Sequence, residues 1–407
     1  MAGPLKGLRV LDLTRVLAGP WATQMLADYG ADIVKIEKPG EGDDTRGWGP
    51  PFLTDPDGSR GDAAYFLAAN RGKSSVAIDM ATPQGQKLIG DLAAKSDIVI
   101  ENFKVGGLKK YGLDYAGLKA INPRLIYCSI TGFGQTGPYA QRAGYDFMIQ
   151  AMGGLMSVTG ERDDLDGGGP QKVGVAVADL FTGLYAVTAI LAAVVHQRAT
   201  GQGQYIDVAL LDTQVAMLAN LNSNYLVAGK VPGRMGNAHL NIVPYQTFQT
   251  ADGYMIVAVG NDRQYREFCA IIGVPALAED QRFANNRGRV ENRELLITLL
   301  TAPMLARTTD QWVEAFQAAA VPCGPILQID QVFANEQVLA RGIQIGLTRD
   351  DGVRIPGVAN PIVFSETAIE YDKAPPRLGD GTEKVLTETL GLSAETIAAL
   401  RKAGAIG

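Results

Sequence analysis

Asp179 is the one acidic residue in an otherwise apolar segment, residues 174–196, with the sequence GVAVADLFTGLYAVTAILAAVVH. This run without proline predicts a helix that is buried on nearly every side, where a lone charge is costly. Asp179 can cap the start of the helix by accepting hydrogen bonds from backbone N–H groups. Alternatively, the positive end of the helix dipole keeps it ionised as a nucleophile or a general base. The residue types alone leave both roles open.

Basic residues form a second chemical feature, because they accumulate in the loops near predicted strands. They are Arg15, Lys38, Arg46, Arg71, Lys73, Lys104 and Lys110. Such cations suit an anionic ligand, although Lys and Arg are also ordinary residues of surface loops. No GxGxxG motif follows the first strand, so a dinucleotide is not indicated. The net charge of −6 and the lack of long basic runs argue against nucleic acid as a partner.

Alternating strands and helices are predicted to position these residues. The strands fall at residues 8–13, 32–37, 75–79, 97–102 and 124–130, with helices between most of them. Repeated strand, helix, strand units predict an α/β fold with a Rossmann-like, doubly wound parallel sheet. Such a sheet binds ligands at the carboxyl ends of its strands, where the basic loops lie.

Length and composition limit the class of protein. A chain of 407 residues exceeds one ordinary core, so two domains are expected. The few thiols and imidazoles are widely spaced, so neither a disulfide framework nor a metal site is expected. They are Cys128, Cys269, Cys323, His196 and His239. Residues 180–195 fall short of the ~20 residues that span a bilayer. The start MAGPLKGLRVLDL lacks the pattern of a signal peptide, so a cytoplasmic protein without a membrane partner is expected.

A series of motifs runs through nearly the whole chain. They are LRVLDLTRVLAGPWATQMLADYGADIVKIEKPGEGD, NRGKSSVAID, ENFKVG, GFGQTGPY, GYDFMIQAMGGLM, VADLFTGLYA, GNAHLNIVPYQTF, VGNDRQYREFC, VPCGPI and PPRLGDGTEKVL. In order and number these motifs resemble the class III CoA-transferases of the CaiB/BaiF type, which include formyl-CoA transferase and carnitine CoA-transferase. The resemblance implies transfer of CoA from an acyl-CoA thioester to a carboxylic acid. It also implies an interlocked homodimer that binds CoA or acyl-CoA as a substrate and has no tightly bound cofactor.

The same resemblance assigns site residues by position. The nucleophilic aspartate of the family falls on Asp179, and Tyr145 and Asp146 fall on active-site positions. The CoA contacts fall on Arg15, Val16, Leu17, Ala18, Lys38, Lys73, Asn102, Phe103 and Lys110. Asn237 and His239 are expected in the substrate pocket.

The segment GRMGNAHLNIVPYQ, residues 233–246, replaces the glycine-rich lid of formyl-CoA transferase. It resembles the branch of the family that handles dicarboxylates such as succinate or glutarate. Arg234, His239 and Arg263 are the candidate partners for a distal carboxylate, although each is equally an ordinary surface charge.

The predicted organisation has four parts. A large Rossmann-like CoA-binding domain covers residues 1–200, and a linker strand and helix cover 201–227, with the helix continuing to about residue 226. A small α+β domain covers residues 228–324, and residues 325–407 return to the large domain.

Two other functions remain as alternatives. A 2-methylacyl-CoA racemase of the same family uses a His together with the Asp for acid and base chemistry. The His of its GHD motif is replaced here by Tyr145, in GYD, which weakens that alternative. The second alternative is a non-catalytic CoA-binding protein of Rossmann-like fold, against which the presence of Asp179 argues.

Overall fold

The computed structural model describes residues 3–407, so residues 1 and 2 of the predicted large domain lie outside the described chain. The chain forms two compact units. The first unit contains the chain up to Leu155, Val173–Val227 and Gln337–Gly407, and the second contains Met156–Lys172 and Ala228–Glu336. Residues 156–172 and 325–336, which the sequence analysis placed outside the small domain, group by their backbone contacts with the second unit.

The first part of the chain alternates strands and helices, as the sequence pattern indicated. The elements are β1 (Arg9–Asp12), α1 (Ala18–Asp28), β2 (Asp32–Glu37), β3 (Phe52–Thr54), β4 (Arg60–Ala63), α2 (Ala64–Leu67), β5 (Lys73–Ala77), α3 (Pro83–Ala94), β6 (Ile98–Glu101), α4 (Tyr115–Ile121), β7 (Ile126–Thr131), α5 (Asp146–Met152) and α6 (Leu155–Val158). Two helix starts are capped by side chains, because Thr82 precedes α3 and Asp114 precedes α4, and each accepts a backbone N–H.

Helices dominate the rest of the chain. The elements are α7 (Val177–Thr200), β8 (Tyr205–Ala209), α8 (Leu210–Met217), α9 (Asn220–Ala228), β9 (Tyr245–Gln249), β10 (Tyr254–Ala258), α10 (Asp262–Ile271), α11 (Ala276–Glu279), α12 (Asn286–Glu291), α13 (Arg293–Met304), α14 (Thr309–Ala318), β11 (Cys323–Pro325), α15 (Ile329–Ala334), α16 (Glu336–Ala340), β12 (Gln344–Thr348), β13 (Arg354–Val358), α17 (Thr382–Leu390) and α18 (Ala394–Lys402). The single long helix predicted to about residue 226 is instead two helices, α8 and α9. They are separated at Ala219, whose φ of +45° is incompatible with a continuous α-helix.

A six-stranded parallel sheet organises the first unit. Its strand order is β5-β2-β1-β6-β7-β8, and every neighbouring pair is parallel. This order confirms the predicted Rossmann-like, doubly wound fold, in which the chain reverses direction across the sheet between β1 and β6. Ligands of such folds bind outside the carboxyl ends of the strands at that reversal.

Both faces of this sheet are covered, as a parallel sheet requires. One face packs against α1 and α7 through a cluster that includes Val10, Ile98 and Ile190. The opposite face buries Leu11, Val99 and other alternate strand residues against α3, α4, α17 and α18. The alternation of strand residues between two cores explains why the predicted strands are almost continuously apolar.

Helix α7 has the length and composition of a membrane span. It contains 24 residues, its most apolar 18-residue window has a mean hydropathy of 1.9, and 44% of that window is buried in the protein. It packs chiefly against α1 and α8. Among the described residues, no other helix reaches this combination of length and hydropathy.

The second unit has its own core. Strands β9, β10 and β11 form an antiparallel sheet in the order β11-β10-β9. Its apolar residues pack against helices through Phe268, Trp312 and Phe316, and the ring of Phe316 contacts both of the other rings. The antiparallel sheet with helices agrees with the predicted smaller α+β part of the fold.

Candidate functional site

A cavity of about 460 Å³ lies where the loops after β1 and β6 meet in the first unit. This is the reversal point of the sheet, where a doubly wound fold leaves a crevice for a ligand. Nine of the residues assigned from the sequence line it, and they are Arg15, Val16, Leu17, Ala18, Asn102, Phe103, Lys110, Tyr145 and Asp179. Lys104 and Arg142 add two further cations to the walls. The cavity therefore combines one acidic side chain of α7 with a cationic rim.

Asp179 does not cap its own helix. The N-cap position of α7 is Ala176, whose side chain makes no hydrogen bond, and Asp179 is the third helical residue. The cap comes from Asp146, whose Oδ1 accepts the N–H of Ala178 at 2.8 Å and that of Asp179 at 3.3 Å. Gln150 donates from Nε2 to the other oxygen of Asp146 at 2.6 Å. The carboxylate of Asp179 is thereby free of the capping role that the sequence had left open.

The environment of Asp179 raises its pKa. Burial, and then the nearby carboxylate of Asp146, raise the pKa of Asp179 to about 7. Both causes disfavour the charged form, and a poorly solvated carboxylate is a stronger base and nucleophile than one in water. The side chain is ionised above neutral pH and protonated below it. A reaction that uses this carboxylate should therefore slow as the pH falls below about 7.

Asp146→Asn should move the acid limb of the activity profile of this protein to lower pH. The amide keeps an oxygen for the α7 cap but removes the negative charge that helps to raise the pKa of Asp179. The measurement is kcat/KM against pH for the wild type and the variant. Gln150→Met is the matched control, since it deletes the hydrogen bond to Asp146, together with those to the N–H of Val173 and the carbonyl of Val175, and retains the charge. An unshifted limb in Asp146→Asn, or an equal shift in the control, would contradict this assignment.

The loop between β1 and α1 is held in an unusual conformation. Val16 has a φ of +72°, which is strained for a β-branched residue. Asn102 clamps the preceding residue, because its Oδ1 accepts the N–H of Arg15 at 3.0 Å and its Nδ2 donates to the carbonyl of Arg15 at 2.7 Å. Asp43 accepts the N–H of Val16 at 3.2 Å. Strain of this kind persists only where the surroundings enforce it, as at a ligand site.

A buried ion pair contacts this loop and stabilises it. Lys35 of β2 and Asp43 are both fully buried and lie 2.9 Å apart, and Lys35 also donates to the carbonyl of Thr14 at 2.8 Å. Burial opposes both charges, but Asp43 and Asp12 keep the pKa of Lys35 above its ordinary value. Lys35 in turn lowers the pKa of Asp43 to about 2. In the sequence, the signal of this pair is a charged residue inside the apolar strand DIVKIE.

Lys73 and Lys38 do not line the cavity. The ammonium of Lys73 is fully buried and donates to Asn70 at 2.8 Å, to the carbonyl of Pro20 at 3.0 Å and to Asp12 at 3.3 Å. Its three donors are thus used inside the protein, and burial lowers its pKa to about 7. Lys38 is exposed and pairs with Glu41 at 2.5 Å. A lysine near a strand end can point into the core or into solvent, which the sequence position did not reveal.

Tyr145 reaches the cavity because two backbone segments cross closely before it. A Cβ added to Gly132 would lie 2.5 Å from the Cα of Gly144, and one added to Gly144 would lie 2.3 Å from the Cα of Gly132. Both positions therefore require glycine. The side chain of Tyr145 is 66% exposed. Asp146 lies behind it as the cap of α7 rather than on the cavity wall.

Asn237 and His239 lie in the second unit. Asn237 lines a separate cavity of about 340 Å³ in that unit. His239 accepts the N–H of Asn241 at its Nδ1 and packs its ring against Tyr245, with ring centres 5.2 Å apart. Arg234 is paired with Asp163. Within residues 3–407, no cluster of three or more His, Cys, Asp or Glu side chains is arranged to hold a metal ion.

Known proteins share both the sequence and the fold of this chain. The model of CoA-transferase family III matches residues 5–382. A succinate–glutarate CoA-transferase of Agrobacterium fabrum is 53% identical over 385 residues, which are 95% of this chain and 95% of that protein. A human succinyl-CoA:glutarate CoA-transferase is 42% identical over 405 residues, or 99% of this chain and 90% of that protein. The crystal structure of a CAIB/BAIF family protein from Brucella suis matches with a TM-score of 0.84 and 52% identity, covering 96% of this chain and 100% of that one. The chain therefore belongs to CoA-transferase family III and is an enzyme of this family.

Proposed function

We propose that this enzyme transfers CoA from an acyl-CoA to a short dicarboxylic acid, such as succinate or glutarate, through a covalent intermediate on Asp179. One observation supports this mechanism. The carboxylate of Asp179 does not cap its own helix, is poorly solvated, and lies on the wall of a cavity with a cationic rim. The names of the two relatives support the choice of acid, because both act on succinate or succinyl-CoA and glutarate. CoA serves as a substrate and not as a resident cofactor.

The proposed reaction consists of four nucleophilic attacks, two that remove CoA from the donor and two that deliver it to the acceptor. The carboxylate of Asp179 attacks the donor thioester carbonyl, the C–S bond breaks, and a mixed anhydride and the CoA thiolate form. The thiolate then attacks the aspartyl carbonyl, which releases the donor acid and leaves an aspartyl-CoA thioester. The acceptor carboxylate attacks this thioester, the C–S bond breaks, and a second mixed anhydride and the CoA thiolate form. The thiolate returns to the acceptor carbonyl, and Asp179 is regenerated.

The residues around the cavity suit the demands of these steps. Each attack develops an oxyanion, and the backbone N–H groups at the start of α1, around Leu17 and Ala18 on the cavity wall, would stabilise it. The adenosine phosphates of CoA would contact Arg15, Lys104 and Lys110. Phe103 offers an apolar surface to the same ligand. The buried contacts of Lys73 favour a structural role for it. Lys38, which pairs with Glu41 in solvent, is not among the proposed CoA contacts.

The racemase alternative lacks its second acid/base group. A racemase needs an acid and a base on opposite sides of the carbon next to the thioester. Neither of the two histidines of the chain lines the Asp179 cavity, since His196 lies near the end of α7 and His239 lies in the second unit. Asp146 is engaged by backbone N–H groups of α7. Membership of an enzyme family argues against the non-catalytic alternative.

One experiment separates transfer from racemisation. With succinyl-CoA and glutarate the protein should form glutaryl-CoA, and in heavy water a chiral 2-methylacyl-CoA should keep its hydrogen at carbon 2. Hydroxylamine added with the donor should trap activated Asp179 as a hydroxamate, located by peptide mass spectrometry. A panel of other carboxylic acids controls for acceptor choice. Rapid deuterium uptake with no thioester exchange across the panel would overturn the proposal.

We further propose that the enzyme is a cytoplasmic homodimer. Support comes from large apolar side chains that α5, α7 and α9 expose, among them Phe147 at 57%, Val195 at 70% and Val227 at 88%. Large apolar side chains that stay exposed on several helices are the kind of surface that a subunit interface would cover. A monomeric mass in sedimentation equilibrium would contradict the dimer.

A further inference from the structure

Glu101, the last residue of β6, lies directly behind the wall of the Asp179 cavity. It is only 6% exposed, and its Oε2 accepts the backbone N–H of Phe103 at 2.7 Å. The residue between them, Asn102, clamps the backbone of Arg15, and both Asn102 and Phe103 line the cavity. Glu101 therefore holds the short segment of backbone that presents two of the proposed CoA contacts.

A second hydrogen bond joins Glu101 to the neighbouring strand of the sheet. The hydroxyl of Ser129, which lies opposite Glu101 on β7, donates to Oε1. Gln135 donates from Nε2 to the oxygen of Ser129 at 2.8 Å. The end of β7 and the residue after it, Thr131 and Gly132, line the same cavity. One carboxylate thus connects two strand ends that both contribute to the cavity wall, and all of these residues belong to the first unit.

The negative charge of Glu101 is not offset by a cation. Burial raises the pKa of Glu101 to about 7, although the hydrogen bonds from Ser129 and from the N–H of Phe103 oppose this shift. No basic side chain among residues 3–407 contributes to the shift, whereas Glu37, at the corresponding end of β2, pairs with Arg46 at 2.7 Å. A poorly solvated carboxylate without a cation costs stability when it is ionised, which favours a role in function.

The titratable groups that face Glu101 leave its charge uncompensated. Tyr127 and Cys128 of β7 and Tyr205 of β8 are neutral at pH 7, because burial raises the pKa of each. Glu101 also lines a second cavity, of about 410 Å³, whose other charged residues are Lys104, Lys109 and Asp114. None of these three shifts the pKa of Glu101. Within this group of residues, the proton that is gained or lost near pH 7 is therefore that of Glu101.

We propose that Glu101, in its ionised form, is a positioning residue that holds the backbone of Phe103 in place for CoA. This inference rests on the proposed function, because the wall that Glu101 holds is the proposed CoA site. A charged acceptor binds an N–H about twice as strongly as a neutral one, so protonation of Glu101 loosens the segment after β6. CoA should bind more tightly to the ionised form, and its affinity should fall as the pH drops below 7.

The test compares CoA binding by the wild type and by Glu101→Gln, measured by calorimetry at several pH values. The amide has the size of the carboxyl group but no charge, so the variant should bind CoA about three- to tenfold more weakly at pH 8. At pH 5 the wild type is itself protonated at Glu101, and the ratio of the two dissociation constants should approach one. Titration of the CoA phosphates affects both proteins equally and cancels in this ratio.

Asp207→Asn is the matched control for Glu101→Gln. Asp207 lies on the neighbouring strand β8, and its carboxylate accepts the backbone N–H of Gln135 at 3.0 Å. Neither Asp207 nor Gln135 lines the Asp179 cavity. The same change from carboxylate to amide should therefore leave the dissociation constant for CoA within about twofold of the wild type at each pH.

Stability separates this positioning role from a purely structural one. A carboxyl group with a raised pKa contributes stability at low pH and loses it as the pH rises through the folded pKa, here about 7. At pH 8, Glu101→Gln should therefore be at least as stable as the wild type while it binds CoA more weakly. A structural defect would instead lower both the melting temperature and the affinity for CoA.

Ser129→Ala gives a second test that does not change Glu101 itself. It deletes a donor that lowers the pKa of Glu101, so the pH midpoint of CoA affinity should move to higher pH. An unshifted midpoint, or a ratio near one at pH 8 in folded Glu101→Gln, would overturn the inference. Loss of CoA binding in the wild type would refute the proposed CoA site as well. A wild type that binds CoA but forms no hydroxamate on Asp179 would refute only the covalent mechanism.

Discussion

Asp179→Ala should lower CoA transfer by at least about 10⁴-fold, as removal of a nucleophile does in other covalent enzymes. No other acidic side chain lines the cavity among the described residues, so none can take over the attack. CoA binding should persist, because the substitution leaves Arg15, Asn102 and Lys110 in place. The measurements are the initial rate with succinyl-CoA and glutarate and the dissociation constant for CoA.

The stability of this variant gives an independent check on the same residue. The folded-state pKa of Asp179, about 7, lies above its ordinary value of 3.8. A carboxyl group raised in this way contributes stability at low pH and loses it as the pH rises through the folded pKa. At pH 8 the wild type therefore bears the cost of a poorly solvated charge that Asp179→Ala removes. The melting temperature of the variant, relative to the wild type, should be higher at pH 8 than at pH 5.

Asp212→Ala is the matched control for Asp179→Ala. Asp212 also lies in the first turn of a helix, α8, but it is exposed and does not line the cavity. Its replacement should leave the transfer rate within about twofold of the wild type, because exposed substitutions away from a site have small effects. Turnover by Asp179→Ala within about 100-fold of the wild type would exclude a covalent role for Asp179, since loss of a nucleophile costs far more.

The path of the chain followed closely from local sequence patterns. Strand β2 covers residues 32–37, as predicted from DIVKIE, and the first helix ends before Gly30. Repeated strand and helix patterns also determined the parallel sheet, because a parallel connection needs a crossover of this length. The break between α8 and α9 was missed, since Ala219 is an ordinary helix-forming residue and its positive φ arises from the tertiary structure.

The composition of the site was only partly predictable. The resemblance assigned residues by position, and those that belong to loops after β1 and β6 do meet in one cavity. The direction in which a side chain points could not be predicted from its position in the sequence. Lys73 has the charge of a phosphate ligand, yet it points into the core toward Asp12. The cap of α7 by Asp146 also escaped prediction, because the two partners are more than 30 residues apart and no periodic pattern links them.

The ion pair of Lys35 and Asp43 stabilises the loop at the cavity wall. The ammonium of Lys35 joins the carbonyl of Thr14 to the carboxylate of Asp43, and Asp43 holds the strained backbone of Val16 at the cavity wall. The two charges are fully buried, so each is tolerated only because the other is present. Removal of Lys35 would leave Asp43 charged in the core and release the loop that carries the predicted CoA contacts.

Lys35→Met should therefore destabilise the protein by about 3–5 kcal/mol, the usual cost of breaking a buried ion pair from one side. Denaturant unfolding measures the loss, and Lys38→Met is the control, since Lys38 lies three residues further on and is 58% exposed. The control should stay within about 0.5 kcal/mol of the wild type. If the loss comes from the unpaired carboxylate, Lys35→Met combined with Asp43→Asn should recover part of it. The double variant should bind CoA more weakly than the wild type even if its stability recovers, because the N–H of Val16 has lost its charged acceptor. A single variant as stable as the control would show that Lys35 does not hold this site together.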